Sequence, residues 1–275
     1  MGQRRGTDRL GQLASVWPMA NWVRFLTDEG PPGFGCLGAG AVAEYRGELF
    51  AAAVATGRSF PIEAVRILAP CTPNKVVGLW NNFRALCTKL GKSVPEHPLY
   101  FIKPGTSVIG SGELIRRPPR YRGKIAFEGE LGIVIGARCA NVRLEDAHRY
   151  IFGYTCVNDV TAADLISEDP NFEQWSRAKG ADTFSCLGPC IATSLDLAAA
   201  RVVTTLDGVE RQNYPLSDMI FPPAELVAQI SGDMTLYPGD VIACGTSIGV
   251  GSMKDGATVR VRIDGIGELY NRLVG

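Results

Sequence analysis

Between Phe127 and Ile135 the chain reads F-E-G-E-L-G-I-V-I, a short apolar run that carries two glutamates. Its β-branched composition favours a strand. Successive strand side chains point to opposite faces, so Glu128 and Glu130 share a face, roughly 6.8 Å apart at ~3.4 Å per residue. Phe127, Gly129, Leu131, Ile133 and Ile135 take the other face, which is the core side. Gly132 and Val134 continue the glutamate face, with no Lys or Arg to neutralise it. Two like charges on a half-buried strand repel and lose hydration unless a cation compensates them. Asp159, ending the second apolar run that starts at Ile151, offers a third oxygen. Hard divalent ions such as Mg²⁺ or Mn²⁺ take such a ligand set, leaving positions for water and substrate. The alternative is a solvated strand face that happens to carry two glutamates. The stretch by itself leaves both open.

At 275 residues the chain can form one large domain, or a large one with a small appendage. Lys plus Arg and Asp plus Glu number 28 each, so no charge excess points to nucleic acid or a membrane surface. No apolar run approaches the ~20 residues that span a bilayer. The early arginines precede no apolar h-region, and Gly6 stands where a myristoylation signal needs Ser or Thr. Eight cysteines are scattered singly without a C-x-x-C, and His97 and His148 are the only histidines. That usage fits small buried hydrophobes kept reduced in cytoplasm, not a disulfide framework or a zinc site.

Along the chain, residues 1–20 read as a loosely ordered leader, 21–69 as a small N-terminal domain and 70–275 as the main domain. In the small unit Val23 to Leu26 is strand-like, and an amphipathic helix is expected near Gly47 to Ala55. Gly33 to Gly38 matches G-x-G-x-x-G, but no helix follows directly and no acid stands about 20 positions on. A β-hairpin with glycine turns accounts for it better. In the main domain Val76 to Leu79 and Leu99 to Pro104 read as strands, and Asn82 to Leu90 as a short helix or flap. Val142 to Tyr150 has helical spacing, with His148 on the surface or in packing. Asp207-Gly208, Pro238-Gly239-Asp240 and Asp264-Gly265 are turns, Pro223 to Ile230 is a helix, and Val259 to Ile263 alternates as a strand. With many short strands, few helices and no sustained βαβ rhythm, the chain is α+β and β-dominated.

Several strings together resemble the fumarylacetoacetate hydrolase family. They are T-P-N-K-V-V-G-L, P-L-Y-F-I-K-P, E-G-E-L-G-I-V-I-G, F-G-Y-T-C-V-N-D-V-T, R-A-K-G-A-D-T-F, Q-N-Y-P-L-S-D-M-I-F, L-Y-P-G-D-V-I-A-C-G-T and I-D-G-I-G-E-L-Y-N. They run in unbroken order over about residues 70–274, and the small N-terminal unit looks like that of the shorter bacterial members. The resemblance implies a β-sandwich roll with a small N-terminal α/β unit, usually as a homodimer. It implies Mg²⁺ or Mn²⁺ held by Glu128, Glu130 and Asp159, with Lys179 near the metal and Thr246 near the substrate carboxylate as the catalytic pair. Arg84, Lys103, Gly245 and Thr246 are the candidate substrate-binding residues. Taken alone, Lys179 would be a solvated surface lysine and Thr246 a turn residue. The glycine loop around Thr246 suits approach of backbone N–H groups to an anion, but it lacks G-K-[ST] and is no nucleotide loop.

A 2-oxo acid can chelate a divalent ion through its keto and carboxylate oxygens, and the ion as Lewis acid would stabilise an enolate. Hydrolysis of a 1,3-dicarbonyl, decarboxylation and movement of a proton and double bond share that species, with Lys179 holding negative charge or moving the proton. Hydrolytic members typically carry N-Y-x-x-H-x-x-E in the flap. Here Leu86 holds the histidine position and Lys89 the glutamate position, so that dyad is missing. After Asn158-Asp159, where the family often has S-A-R-D-x-Q, Ala163 and Ile166 replace the Arg and Gln. Arg84, or His97 beside Glu96, are candidates for the missing function. The expectation is a cytoplasmic, metal-dependent C–C bond hydrolase of a small 2-oxo acid, as produced in aromatic catabolism. Isomerisation or decarboxylation of an unsaturated 2-oxo dioate is the alternative, and a catalytically silent metal-binding relative or a nicotinamide oxidoreductase are the rival classes.

Overall fold

The computed structural model describes residues 19–28 and 30–275. The expected leader therefore lies almost wholly outside the described residues. Ten strands run in the order Ala53–Pro61, Ala41–Gly47, Gly33–Gly38, Asn21–Leu26, Ser185–Ala192, Ile151–Asp159, Gly129–Ile135, Val241–Ala243, Lys75–Trp80 and Leu99–Pro104. Arg66–Ile67 and Val108–Ile109 join their sides to complete a twelve-stranded sheet. A five-stranded and a three-stranded sheet pack beside it. The chain is strand-dominated, as its many short apolar runs and turn residues require.

The N-terminal unit continues the large sheet, because Trp22 pairs with Ile191. Gly33 to Gly38 is itself a strand paired on both sides, and the turn falls at Ala39-Gly40, both at positive φ. It is a hairpin and not a dinucleotide loop. Gly35 is needed there: a Cβ would lie 2.2 Å from the Ala43 carbonyl oxygen. The helix expected near Gly47 to Ala55 is absent, and the unit has no α-helix among the described residues. Gly47 at φ +96 closes one strand, Ala53 opens the next, and Arg46 pairs with Val54. Spacing over so short a stretch cannot separate helix from hairpin, and cross-strand pairing decides it.

The glutamate strand Gly129–Ile135 is buried at every position. Leu131, Ile133 and Ile135 enter the main core with Phe127 and Ile242, while Val134 packs with Val157, Val241 and Val76 in a second core on the opposite face. The strand is thus covered on both faces, not half-buried as its pattern suggested. Its two faces belong to different layers, and the glutamates stand at the end of an apolar one.

Glu128 marks a change of sheet. Ile125–Phe127 pairs with Thr161–Ala162 and Gly251–Met253 in the small sheet, and Gly129–Ile135 pairs with Ile151–Asp159 in the large one. The partner strand makes the same crossing after Asp159. The Asp159 N–H donates to the Glu128 carbonyl at 2.9 Å, locking the two crossings together.

Three α-helices complete the described chain: α1 (Arg84–Leu90), α2 (Trp175–Lys179) and α3 (Pro223–Asp233). Proline starts α3 as expected, and Gly91 in the left-handed region ends α1. Asp207 and Gly208, at φ +50 and +79, form the two-residue turn between Arg201–Leu206 and Val209–Pro215. Leu144–Tyr150 is a 3₁₀ stretch with Ala147 buried and His148 exposed. All eight cysteines are free, and seven are buried. No helix among the described residues is long and apolar enough to cross a membrane.

Candidate metal centre and its cavity

The double crossing brings Glu128, Glu130 and Asp159 together, with one carboxylate oxygen of each within 4.8 Å of the others. Glu130 and Asp159 are fully buried, and Glu128 is partly so. One Glu130 oxygen accepts the Gly245 N–H at 2.9 Å, while Glu130 Oε1 is buried without a hydrogen-bond partner. Burial first, then Asp159 and Glu128, push the Glu130 carboxyl well above the usual carboxylate range. A lone buried oxygen among converging carboxylates is the donor set a hard divalent cation satisfies, so the residues present fit such an ion.

Two lysines reach the cluster from other elements, which strand alternation could not reveal. Lys179, at the end of α2, ion-pairs with Asp159 Oδ2 at 2.6 Å and Glu128 Oε1 at 2.9 Å. It is 2% exposed, so its reading as a solvated surface lysine fails. Burial lowers the Lys179 pKa, but Asp159, Glu128 and Glu130 together outweigh it and hold the ammonium protonated. Lys103 ion-pairs with Asp159 Oδ1 and donates to the Phe184 carbonyl at 2.6 Å. Burial is the larger influence on Lys103 and lowers its pKa. Asp159 is raised by burial, but the two lysines more than reverse this and keep it ionised.

A cavity of 210 Å³ opens onto this cluster. Glu128, Lys179, Thr246 and Asn81 supply its polar lining. Leu86 and Leu90 of α1, with Trp80, Phe101, Ile166 and Trp175, supply much of the rest. Phe101 stacks on Trp175 with ring centroids 5.4 Å apart and planes 12° from parallel. Asn82 fastens the base of α1 to the glycine loop, its Nδ2 donating to the Cys244 carbonyl at 2.9 Å.

Not every expected site residue faces this cavity. Thr246 does, yet its hydroxyl donates to the Gly129 carbonyl at 3.0 Å and accepts from Gln212 at 2.8 Å. Gly245 does not line it, and its N–H is spent on Glu130. A Cβ there would come within 3.1 Å of the Leu79 carbonyl oxygen, so the glycine serves close packing behind a carboxylate. Lys103 is directed at Asp159, away from the lining, and Arg84 is exposed on the outer side of α1. Glu96 and His97 are exposed and line a separate 520 Å³ cavity that shares Trp80 and Asn81. Asn81 was not anticipated; it sits in the cavity wall at φ +58, where a non-glycine residue is costly.

The family profile described as fumarylacetoacetate (FAA) hydrolase C-terminal matches residues 75–274. The chain belongs to the fumarylacetoacetate hydrolase family. A second profile, Rv2993c-like N-terminal, matches residues 21–70. Protein Rv2993c of Mycobacterium tuberculosis is 40% identical over 270 residues, 97% of this chain and 98% of its own. Oxaloacetate tautomerase YisK of Bacillus subtilis is 33% identical over 228 residues, 78% of this chain and 75% of its own. The crystal structure of 2-hydroxyhepta-2,4-diene-1,7-dioate isomerase from Mycobacterium marinum matches with a TM-score of 0.84 at 38% identity, covering 93% of this chain and 98% of that one. Two of these three family members are named for proton-moving reactions.

Proposed function

We propose that this family member is a divalent-metal-dependent isomerase or tautomerase that moves a proton along a small 2-oxo acid, rather than the C–C bond hydrolase placed first by its family resemblance. The observation that carries the reading is Leu86. It lines the cavity at the position where a hydrolytic flap would present a proton acceptor, and no histidine lines that cavity among the described residues. Lys89, at the other dyad position, is exposed and outside the lining. A water molecule held there would have no flap base. The names of the relatives support the same choice.

Glu128, Glu130 and Asp159 would hold the Mg²⁺ or Mn²⁺, which when bound supplies Lewis-acid polarisation of the substrate oxygens. The proton chemistry falls to Lys179 and Glu128, both facing the cavity and 2.9 Å apart. For an enol, the Glu128 carboxylate accepts the hydroxyl proton as the Lys179 ammonium delivers one to C3. Transfer from Glu128 to Lys179 then restores both groups, leaving a net shift of one proton from oxygen to carbon. The carboxylates around Lys179 keep it charged between turnovers. Lys103 and Thr246 act indirectly, fixing Asp159 and the Gly129 backbone. We place the enzyme in the cytoplasm, where its thiols stay reduced, and propose a homodimer.

The test incubates the protein with Mg²⁺ or Mn²⁺ and enol oxaloacetate, 2-hydroxyhepta-2,4-diene-1,7-dioate or an acylpyruvate, identifying products by NMR. Faster ketonisation or a shifted double bond, with the acylpyruvate intact, is expected. Cleavage of the acylpyruvate without acceleration of either enol would return the reaction to hydrolysis. Release of CO₂ as the main product would make it a decarboxylase.

A further inference from the structure

The cavity is chemically lopsided. Its charged lining residues, Glu128 and Lys179, are paired with each other, and Lys179 also holds Asp159. A 2-oxo acid bound with its keto and carboxylate oxygens at this cluster would extend its far end toward Leu86, Leu90, Trp80 and Trp175. None of these can neutralise a carboxylate, and an ionised group placed among them would lose its hydration without compensation. A ring or branched chain meets an apolar wall there. The Phe101–Trp175 stack, with Trp80 edge-on to Trp175 at 6.2 Å, presents the aromatic surfaces that such a group packs against. The 210 Å³ volume exceeds the roughly 150 Å³ of a void that holds benzene.

Apart from Lys103, which is buried against Asp159, the cation that borders this cavity's neighbours is Lys92. It lines a third cavity, also of 520 Å³, which shares Trp80, Phe101, Ile166 and Trp175 with this one, and its Nζ lies 5.3 Å from the Trp80 ring centroid. Only a long dioate threading past Trp80 would meet it.

We infer that this site selects 2-oxo acids with an apolar far end, aryl or branched alkyl, over 2-oxo dioates, and that Leu86 sets the preference. The inference rests on the proposed use of the site for 2-oxo acids and narrows their class. Binding of phenylpyruvate, oxaloacetate and 2-hydroxyhepta-2,4-diene-1,7-dioate to the Mn²⁺-loaded protein is measured by tryptophan fluorescence, and ketonisation of the first two by loss of enol absorbance. Phenylpyruvate is expected to bind at least about tenfold more tightly than either dioate. Leu86→Lys should reduce or reverse that ratio, and Leu86→Gln, a milder change, should reduce it partly. Lys92→Ala should leave it unmoved.

Equal or tighter binding of a dioate overturns the inference, as does binding of none of the three acids. So does a ratio indifferent to both Leu86 variants, or a selective loss of the seven-carbon dioate in Lys92→Ala. Preferential binding of phenylpyruvate with no turnover of either enol would remove the proposed reaction and keep the selectivity. Ketonisation of both acids with equal affinity would do the reverse.

Discussion

Asp240 and Glu130 are both fully buried carboxylates close to the central sheet, and they differ in how their oxygens are used. Asp240 Oδ1 accepts the N–H groups of Asn74 at 3.1 Å and Lys75 at 3.3 Å. Its Oδ2 accepts the Lys75 ammonium at 2.6 Å and the Tyr237 N–H at 3.0 Å. Glu130 has one backbone N–H on one oxygen, nothing on the other, and two carboxylates beside it. The first group is complete within the fold and ties the strand Lys75–Trp80 to the Pro238 turn. The second is left deficient by the fold, and the deficiency has the sign and hardness of a divalent cation. Burial alone thus does not mark a functional acid; unmet hydrogen-bonding capacity beside like charge does.

The largest expected effect breaks the satisfied site. Asp240→Ala leaves the Asn74, Lys75 and Tyr237 N–H groups unpaired and the Lys75 ammonium with only the Thr235 carbonyl, and should cost about 3–5 kcal/mol in chemical denaturation, while the folded fraction binds Mn²⁺ with unchanged affinity by calorimetry. Altered Mn²⁺ affinity would erase the contrast between the two acids. Next, Mn²⁺ at ~100 times its dissociation constant should stabilise the wild-type protein by about 2.7 kcal/mol, read as a rise in Tm. Asp240→Ala should retain that increment and Glu130→Gln should lose most of it. Retention in Glu130→Gln would separate Glu130 from the metal.

A smaller effect concerns pH in chelator-treated protein. The folded-state pKa of Glu130 is raised, so its neutral form is the one the fold tolerates. Stability from this group is complete below the unfolded carboxylate value of about 4.3 and declines as pH rises toward the folded value. Asp159, held low by its lysines, gives the opposite slope, contributing above its unfolded pKa and losing that contribution as pH falls. Subtracting the Glu130→Gln profile from wild type isolates what depends on the Glu130 charge, its repulsion of Asp159 included, and the difference should turn against wild type as pH rises from ~4.5 to ~7. A flat difference would mean that Glu130 finds a partner in solution. The smallest change is expected of Lys89→Ala on the exposed side of α1, within about 0.5 kcal/mol in stability and without loss of turnover in the ketonisation assay. A large loss of turnover would show that the flap carries a proton after all.

Much of the site is legible in the amino-acid sequence. Alternation put Glu128 and Glu130 on one face, and Asp159 at a strand end beside them. Set against the N-Y-x-x-H-x-x-E of the family it resembles, Leu86 and Lys89 show the dyad missing, because a leucine cannot take a proton in any fold. Turn chemistry located the hairpin at Asp207-Gly208 and proline the start of α3, since these depend on backbone conformations that neighbouring residues impose. The stretch from Gly47 to Ala55 suggests a helix in the sequence and forms a hairpin in the structure, because a hairpin turn and one helical turn share the same apolar spacing over so few residues.

What the sequence by itself determined was a β-dominated chain with an acidic pair on a strand face, because those properties follow from residue identity and a period of two; the flap without its dyad is what the family resemblance implies. Only the tertiary structure decided that Lys103 and Lys179 are buried against Asp159, that the Gly245 N–H donates to Glu130, and that Asn81 enters the cavity wall. These contacts join positions 56, 20 and 115 residues apart in the first three cases. No local pattern encodes them; they exist because two strands change sheets at the same point and draw distant elements around the charges left there.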